Sequence, residues 1–218
     1  MVLVGDSACQ RIGQGLHAVE EREHAGGLLA LFIAFLPLLR ALDLSFDQAA
    51  AIPVGGMTAM YILQKANIQK GQEVLIYGAS GSVGSSAVQL AVNAGAKVTG
   101  VCSGSNQEMV KSLGASHVID YTKEDFTQNG KKYDVIFNAV TKIPKSRCKP
   151  SLKKDGVYLT VKSPTKELTE NLLLLKQMAE EEKFVPVIDK IYPLEQTAEA
   201  HAYADLGHKK GNVVIKIA

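Results

Sequence analysis

Short apolar runs, rather than long alternating ones, set the rhythm of this chain. Val74-Leu75-Ile76, inside Glu73 to Tyr77, has no polar face to show, as expected of a parallel strand covered on both sides. Lys97 to Cys102, His117 to Ile119, Tyr133 to Asn138 and Gly156 to Val161 repeat that pattern, and a last run spans Asn212 to Ile217. Between the runs the period changes. Val83, Ala87, Leu90, Ala91 and Ala94 recur at the spacing of one helix face, with Gly95 as the stop. Asn106 to Leu113, closed by Gly114, predicts a second helix, so the stretch from Glu73 to Ile119 reads as βαβαβ.

The flanks are less regular. Ser45 or Asp47 can cap a helix with body Gln48 to Ala51, Pro53 is expected to break it before Gly55-Gly56, and Thr58 to Lys65 is helical again. Leu168 to Glu182 predicts a long helix striped by Leu168, Leu172, Leu175 and Ala179; Leu173 and Leu174 widen its apolar face and predict packing on two sides. Val185 to Ile188 leads into Tyr192-Pro193-Leu194, then a helix from Glu195 to Leu206. Residues 1 to 40 show no clear period. Three parts are therefore expected: an atypical N-terminal segment (1–45), an α/β domain (46–190) and a C-terminal helix-strand tail (191–218).

Composition narrows the class of protein. Lys and Arg number 24 against 22 Asp and Glu, and the lysines fall in scattered pairs, which reads as solvated loops and not as a nucleic-acid surface. Cys9, Cys102 and Cys148 are too few and too far apart for a disulfide framework and fit a reducing cytoplasm. No histidine or cysteine spacing matches a metal site, His24 reading better as a helix end. The apolar run Leu28 to Leu39 is shorter than the ~18 residues a bilayer requires, so no membrane span is expected and a buried segment is the plain reading.

Chemistry enters at Gly78-Ala79-Ser80-Gly81-Ser82-Val83-Gly84, placed between a predicted strand and a predicted helix. In that setting Gly81 lets the backbone approach a pyrophosphate, Gly84 lets helix and strand pack closely, and amides at the helix start face the anion. No Lys-Ser or Lys-Thr follows, which excludes a nucleoside-triphosphate loop. A dinucleotide-binding, doubly wound parallel sheet of the Rossmann type, with helices on both faces, is the expected fold. Between Glu73 and Glu108 there is no acid to hold a ribose 2′-hydroxyl, while Ser103, Gly104, Ser105 and Asn106 are small and neutral. That favours NADPH over NADH, although no Arg or Lys lies in Cys102 to Gln107 and a cation has to come from Lys111 or elsewhere. Cys102 reads as a buried strand thiol.

From Leu44 onward the chain resembles the zinc-independent quinone oxidoreductase branch of the medium-chain dehydrogenase/reductase superfamily. The likeness rests on Ala49 to Ala59, on Gly78 to Gly84, on Ser112-Leu113-Gly114-Ala115 with Val118 to Tyr121, on Tyr133 to Val140, and on Tyr192 to Glu195 with Gly207 to Val214. The resemblance implies Thr58 near the nicotinamide, Gly78, Ala79, Ser80, Gly81, Val83 and Gly84 at the pyrophosphate, Ser103 and Tyr121 near the adenosine 2′-phosphate, and Asn138 by the nicotinamide ribose. It further implies hydride transfer from NADPH to a small quinone or enone, with no catalytic acid nominated. Three departures stand against the family pattern. Residues 1–43 do not resemble its GroES-like catalytic domain, Lys162-Ser163-Pro164 replaces an edge strand through which subunits pair, and Thr141 stands where a glycine is expected. A homodimer is thus an open expectation, the C-terminal strand an expected unpaired edge, and an NADP(H)-binding module without turnover the alternative function.

Overall fold

The computed structural model describes the backbone of Val2–Gly5 and residues 44–217; Cys9, His24 and the run Leu28 to Leu39 lie outside the described residues. The chain divides into two compact units. Val54–Phe184 forms one, and the described residues of the other are Val2–Gly5, 44–53 and 185–217.

The larger unit is built on a five-stranded, all-parallel sheet. Its strands are β2 (Glu73–Tyr77), β3 (Lys97–Cys102), β4 (His117–Asp120), β5 (Tyr133–Asn138) and β6 (Leu152–Thr160), in the order β4-β3-β2-β5-β6. Three of the five runs end where the sequence places them, and β6 starts four residues early, at Leu152. Both faces are covered, as the lack of alternation predicts. Val74, Ile76, Val135 and Phe137 point into a core with Ala87, Val88 and Ala91 of helix α3 (Ser82–Asn93), and Leu75, Val101, Ile119 and Ile136 point into the opposite one with Phe126, Ile143 and Cys148. Helix α4 (Gln107–Ser112) brings Val110 to the first core.

At the start of this region the expected helix break is absent. Helix α1 (Phe46–Ala51) is capped by Ser45 in a reciprocal capping box with Gln48, while Asp47 sits in the first turn. Pro53 then opens helix α2 (Pro53–Gln64) instead of ending one, a position where its missing N–H costs nothing. Gly55 and Gly56 lie inside α2 for packing reasons. A Cβ on Gly55 would stand 2.4 Å from Ser82 Oγ, and one on Gly56 would stand 3.0 Å from a Leu175 methyl on helix α6 (Thr169–Glu180). On α6, Leu172, Leu175 and Ala179 are buried, but Leu173 and Leu174 remain roughly half exposed, so only one of its two expected packing faces is used.

The smaller unit holds a second parallel sheet of three strands. In it β8 (Asn212–Ile217) lies between β1 (Val2–Gly5) and β7 (Ile188–Pro193), with Val2 opposite Val214 and Ile191 opposite the same residue. The C-terminal strand is therefore central and not an unpaired edge. Helix α7 (Thr197–Asp205) covers it through Ala200, which packs with Val213 and Ile215.

Candidate functional site

Strand order reverses between β2 and β5, and at such a switch point open α/β sheets form a crevice at the carboxyl ends of the strands. Register brings the relevant ends side by side: Tyr77 opposite Val101 and Asn138, Cys102 opposite Asp120. Every residue of the larger unit nominated from sequence sits at this edge or on the helices that frame it.

The glycine loop leaves β2 by a sharp turn in which both Gly78 and Ala79 donate to Val101 O, at 3.0 and 2.9 Å. Gly78 has φ +83°, and a Cβ there would be 2.4 Å from a Val140 methyl, so glycine is required twice over. Gly84 is required by packing, since its Cβ would lie 2.0 Å from Gly78 O. Gly81 differs. It is the N-cap of α3 in extended backbone, and a Cβ there would meet nothing closer than Gly78 O at 3.7 Å. No side chain caps this helix and no acid stands in its first turn, so the amide end of a 12-residue helix faces the mouth of the loop. Ser80 and Val83 line that mouth half-buried, Ala79 is buried beneath it, and Thr58 lies one turn along α2 from Gly55, the residue packed against Ser82.

At the end of β3 the chain turns through Ser103, whose hydroxyl lies 3.4 Å from that of Ser105. Lys111 is engaged elsewhere, its Nζ 3.0 Å from Glu108. Sequence reasoning missed Asp120, because it arrives from the neighbouring strand. Its Oδ1 accepts from Thr122 N at 3.0 Å and Thr122 Oγ at 2.7 Å, and its Oδ2 sits 2.5 Å from where a Gly104 Cβ would be. Those Thr122 hydrogen bonds above all, with the Gly104 amide and nearby Lys123, hold its carboxyl below the usual range despite its burial. Tyr121 follows, 52% exposed, its N–H donating to Cys102 O at 3.1 Å. The Cys102 thiol is buried, and burial first, then the Asp120 charge, push it up to about 11, which makes it a poor nucleophile.

At the end of β5, Asn138 is 1% exposed and its amide is fully employed: it donates to Ile143 O at 2.7 Å and Tyr158 OH at 3.1 Å and accepts from Val140 N at 3.3 Å. It ties down the loop that follows the strand. Within that loop Thr141 adopts φ +59°, the left-handed conformation that explains why a glycine is expected there. Among the described residues no group of three or more His, Cys, Asp or Glu gathers as a metal site, and no helix is long and apolar enough to cross a membrane.

This geometry defines the class: a Rossmann-type sheet whose glycine loop and uncapped helix sit at the topological switch point. Comparison with known proteins then gives the family. Family profiles described as zinc-binding dehydrogenase match residues 82–185 and 163–215. The chain is 31% identical to a chloroplast envelope quinone oxidoreductase homolog of Arabidopsis thaliana, over 94% of this chain and 73% of that protein. It is 35% identical to a chloroplastic NADPH-dependent alkenal/one oxidoreductase of the same plant, over 87% of this chain and 53% of the relative. Among solved structures it superposes on a quinone oxidoreductase from Coxiella burnetii with TM-score 0.69 and 28% identity, covering 80% of this chain and 62% of that one. The chain belongs to the zinc-binding dehydrogenase family, that is, to the medium-chain dehydrogenase/reductase superfamily, in its quinone oxidoreductase-like part. It spans from about half to about three quarters of the length of these relatives. A match over 94% of the chain cannot fit within residues 44–218, so the likeness reaches into the N-terminal segment, where no resemblance was expected.

Proposed function

We propose that this chain binds NADPH in the crevice above β2 and acts as a zinc-independent oxidoreductase of the quinone reductase type on a small quinone or conjugated carbonyl. One observation carries the reading: Gly81 at the open mouth of the loop, with the uncapped amide end of α3 behind it, leaves room and polarity for a pyrophosphate where Gly78 and Gly84 are consumed by packing. The residues present fit the dinucleotide. Ser80, Gly81, Val83 and Gly84 would hold its pyrophosphate, Ser103 and Tyr121 its adenosine end, and Thr58 and the loop tied by Asn138 its nicotinamide end. Bound there, the nicotinamide supplies the hydride.

What the protein contributes is placement. The Asn138 amide fixes the loop through Ile143 and Val140, Val140 in turn abuts Gly78, and a rigid wall beside the nicotinamide end results. NADPH is preferred over NADH in this reading because Ser103 and Ser105 present neutral hydroxyls and the Asp120 carboxylate is already engaged by Thr122 and the Gly104 amide. Cys102 and Cys148, free and each pushed up to about 11 chiefly by burial, suit a reducing compartment such as the cytoplasm. Subunit pairing through this sheet would have to use one of its two edge strands, β4 or β6.

Calorimetry with NADPH and NADH, followed by NADPH oxidation in the presence of 1,2-naphthoquinone, tests the proposal. Tighter NADPH binding with turnover above buffer is expected. NADPH binding without turnover would leave only a dinucleotide-binding module, and no binding of either nucleotide would overturn the site itself.

A further inference from the structure

Between Asp134 and Asp155 the chain carries six cations and no acid, in a protein whose net charge is only +2. The segment crosses the outside of the larger unit from the end of β5 to the start of β6, through a short helical turn α5 (Lys145–Cys148) and the 3-10 turn Lys149–Ser151. It is not a loose loop. Ile143, Cys148 and Ser151 are buried beneath it at 5%, 0% and 2% exposure, and Pro144 and Pro150 stiffen both ends. The anchors turn the basic side chains outward.

Two of the six cations are neutralised, Arg147 by Asp125 at 2.7 Å and Lys153 by Asp134 at 2.7 Å. The other four, Lys142, Lys145, Lys149 and Lys154, are exposed and make no ion pair among the described residues. Lys145 and Lys149 stand one helical turn apart, a like-charge spacing that costs folding energy and serves no internal contact. Lys132 joins the patch from the loop before β5, its Nζ bonded to Pro150 O.

We propose that this patch is a docking surface for the anionic face of a lipid bilayer, holding the protein at a membrane by reversible, peripheral contact. The chemistry selects that partner. Free cations here are all lysines, compact point charges suited to a diffuse field of headgroups, whereas the one guanidinium that could fork onto a nucleic-acid phosphate is engaged by Asp125. Single-stranded nucleic acid is also held by base stacking on aromatic side chains, and the sole aromatic between Asp134 and Asp155 is Phe137, fully buried in the sheet. This inference does not depend on the cofactor reading.

Co-sedimentation with phosphatidylcholine vesicles, with and without about one third phosphatidylglycerol, tests it on the full chain. Binding to the mixed vesicles alone is expected, with loss as salt rises from roughly 0.05 to 0.5 M. Replacing Lys142, Lys145, Lys149 and Lys154 by Gln should cut partitioning roughly fivefold per lysine, some hundreds-fold together, with a melting temperature no lower than the parent's. A charge-matched control, Lys70, Lys97, Lys166 and Lys216 to Gln, should keep most of the binding. Absence of wild-type binding to anionic vesicles would overturn the proposal, as would equal losses in the control. Tighter binding of a single-stranded oligonucleotide than of vesicles, abolished by the same four substitutions, would overturn it in favour of nucleic acid.

Discussion

The two ends of the crevice are built differently. At the glycine loop, most of what shapes the site lies within seven consecutive residues, with Gly55 packed on Ser82, Val140 leaning on Gly78 and Val101 accepting from the turn. At the turn after β3, the shaping group is Asp120, seventeen positions on from Ser103 in sequence and next to Gly104 in space only because Cys102 and Asp120 share a register. One end is written locally and the other is assembled by the sheet. Substitutions at the local end should therefore separate by residue into folding and binding effects, and those at the assembled end should mix the two.

The sharpest break of that contrast lies within the loop itself. Gly84→Ala drives a Cβ to 2.0 Å from a backbone oxygen that cannot swing away, and should cost about 3 kcal/mol in urea unfolding. Gly81→Ala meets only ordinary van der Waals contact and should leave stability within about 0.5 kcal/mol, while NADPH affinity by calorimetry falls about tenfold or more. If Gly81→Ala binds NADPH as the parent does, the pyrophosphate does not sit at this mouth.

At the assembled end the expected effect is smaller and falls on two readouts. Asp120→Asn keeps the acceptor for Thr122 but removes the negative charge beside Gly104, so the ratio of NADPH to NADH affinity should rise roughly threefold or more at low salt. Its pH behaviour has a definite sign. The folded-state pKa of Asp120 is depressed, so its contribution to stability is complete above the unfolded carboxylate range and is lost as pH falls through the folded value. Acid unfolding of Asp120→Asn should accordingly begin from a flatter limb than that of the parent. A ratio that stays put would place the adenosine 2′ position away from this turn.

The same division explains what could be read from the chain. Strands β2, β3 and β5 were legible to the residue because a buried parallel strand is a local apolar run, and Ser45 was legible as one of two candidate caps, with Asp47, the structure choosing it through its capping box with Gln48. Pro53 misled because its role is set by whether helix follows it, and helix follows because Gly55 and Gly56 let α2 close onto Ser82 and Leu175, both distant in sequence. Likewise β8 looked like an orphan edge because its neighbours, β1 and β7, include four residues at the far end of the chain. The family resemblance implied Asn138 by the nicotinamide ribose, and only the structure shows its amide spent on Ile143, Tyr158 and Val140. Asp120 belongs to the stretch Val118 to Tyr121 that carries the resemblance, with nothing in the spacing to say that it faces Gly104.

The smallest effect belongs to the third rim of the crevice, where a local signal was seen but its cause was not. Thr141 departs from an expected glycine, and the sequence alone does not say what the glycine is for. The backbone supplies a reason: at φ +59° the position demands a conformation that a β-branched residue adopts only at a cost, while the side chain itself is exposed. Thr141→Gly should relieve that strain and give back part of the gain to the greater freedom of the unfolded chain, for a net stabilisation of about 0.5 kcal/mol in urea unfolding. Because Val140 packs against Gly78, the strained loop and the glycine loop brace each other. Relief at Thr141 should therefore leave NADPH affinity unchanged if the loop keeps its place, and a loss of affinity alongside the stability gain would show that the strain holds Val140, and with it Gly78, in the binding conformation.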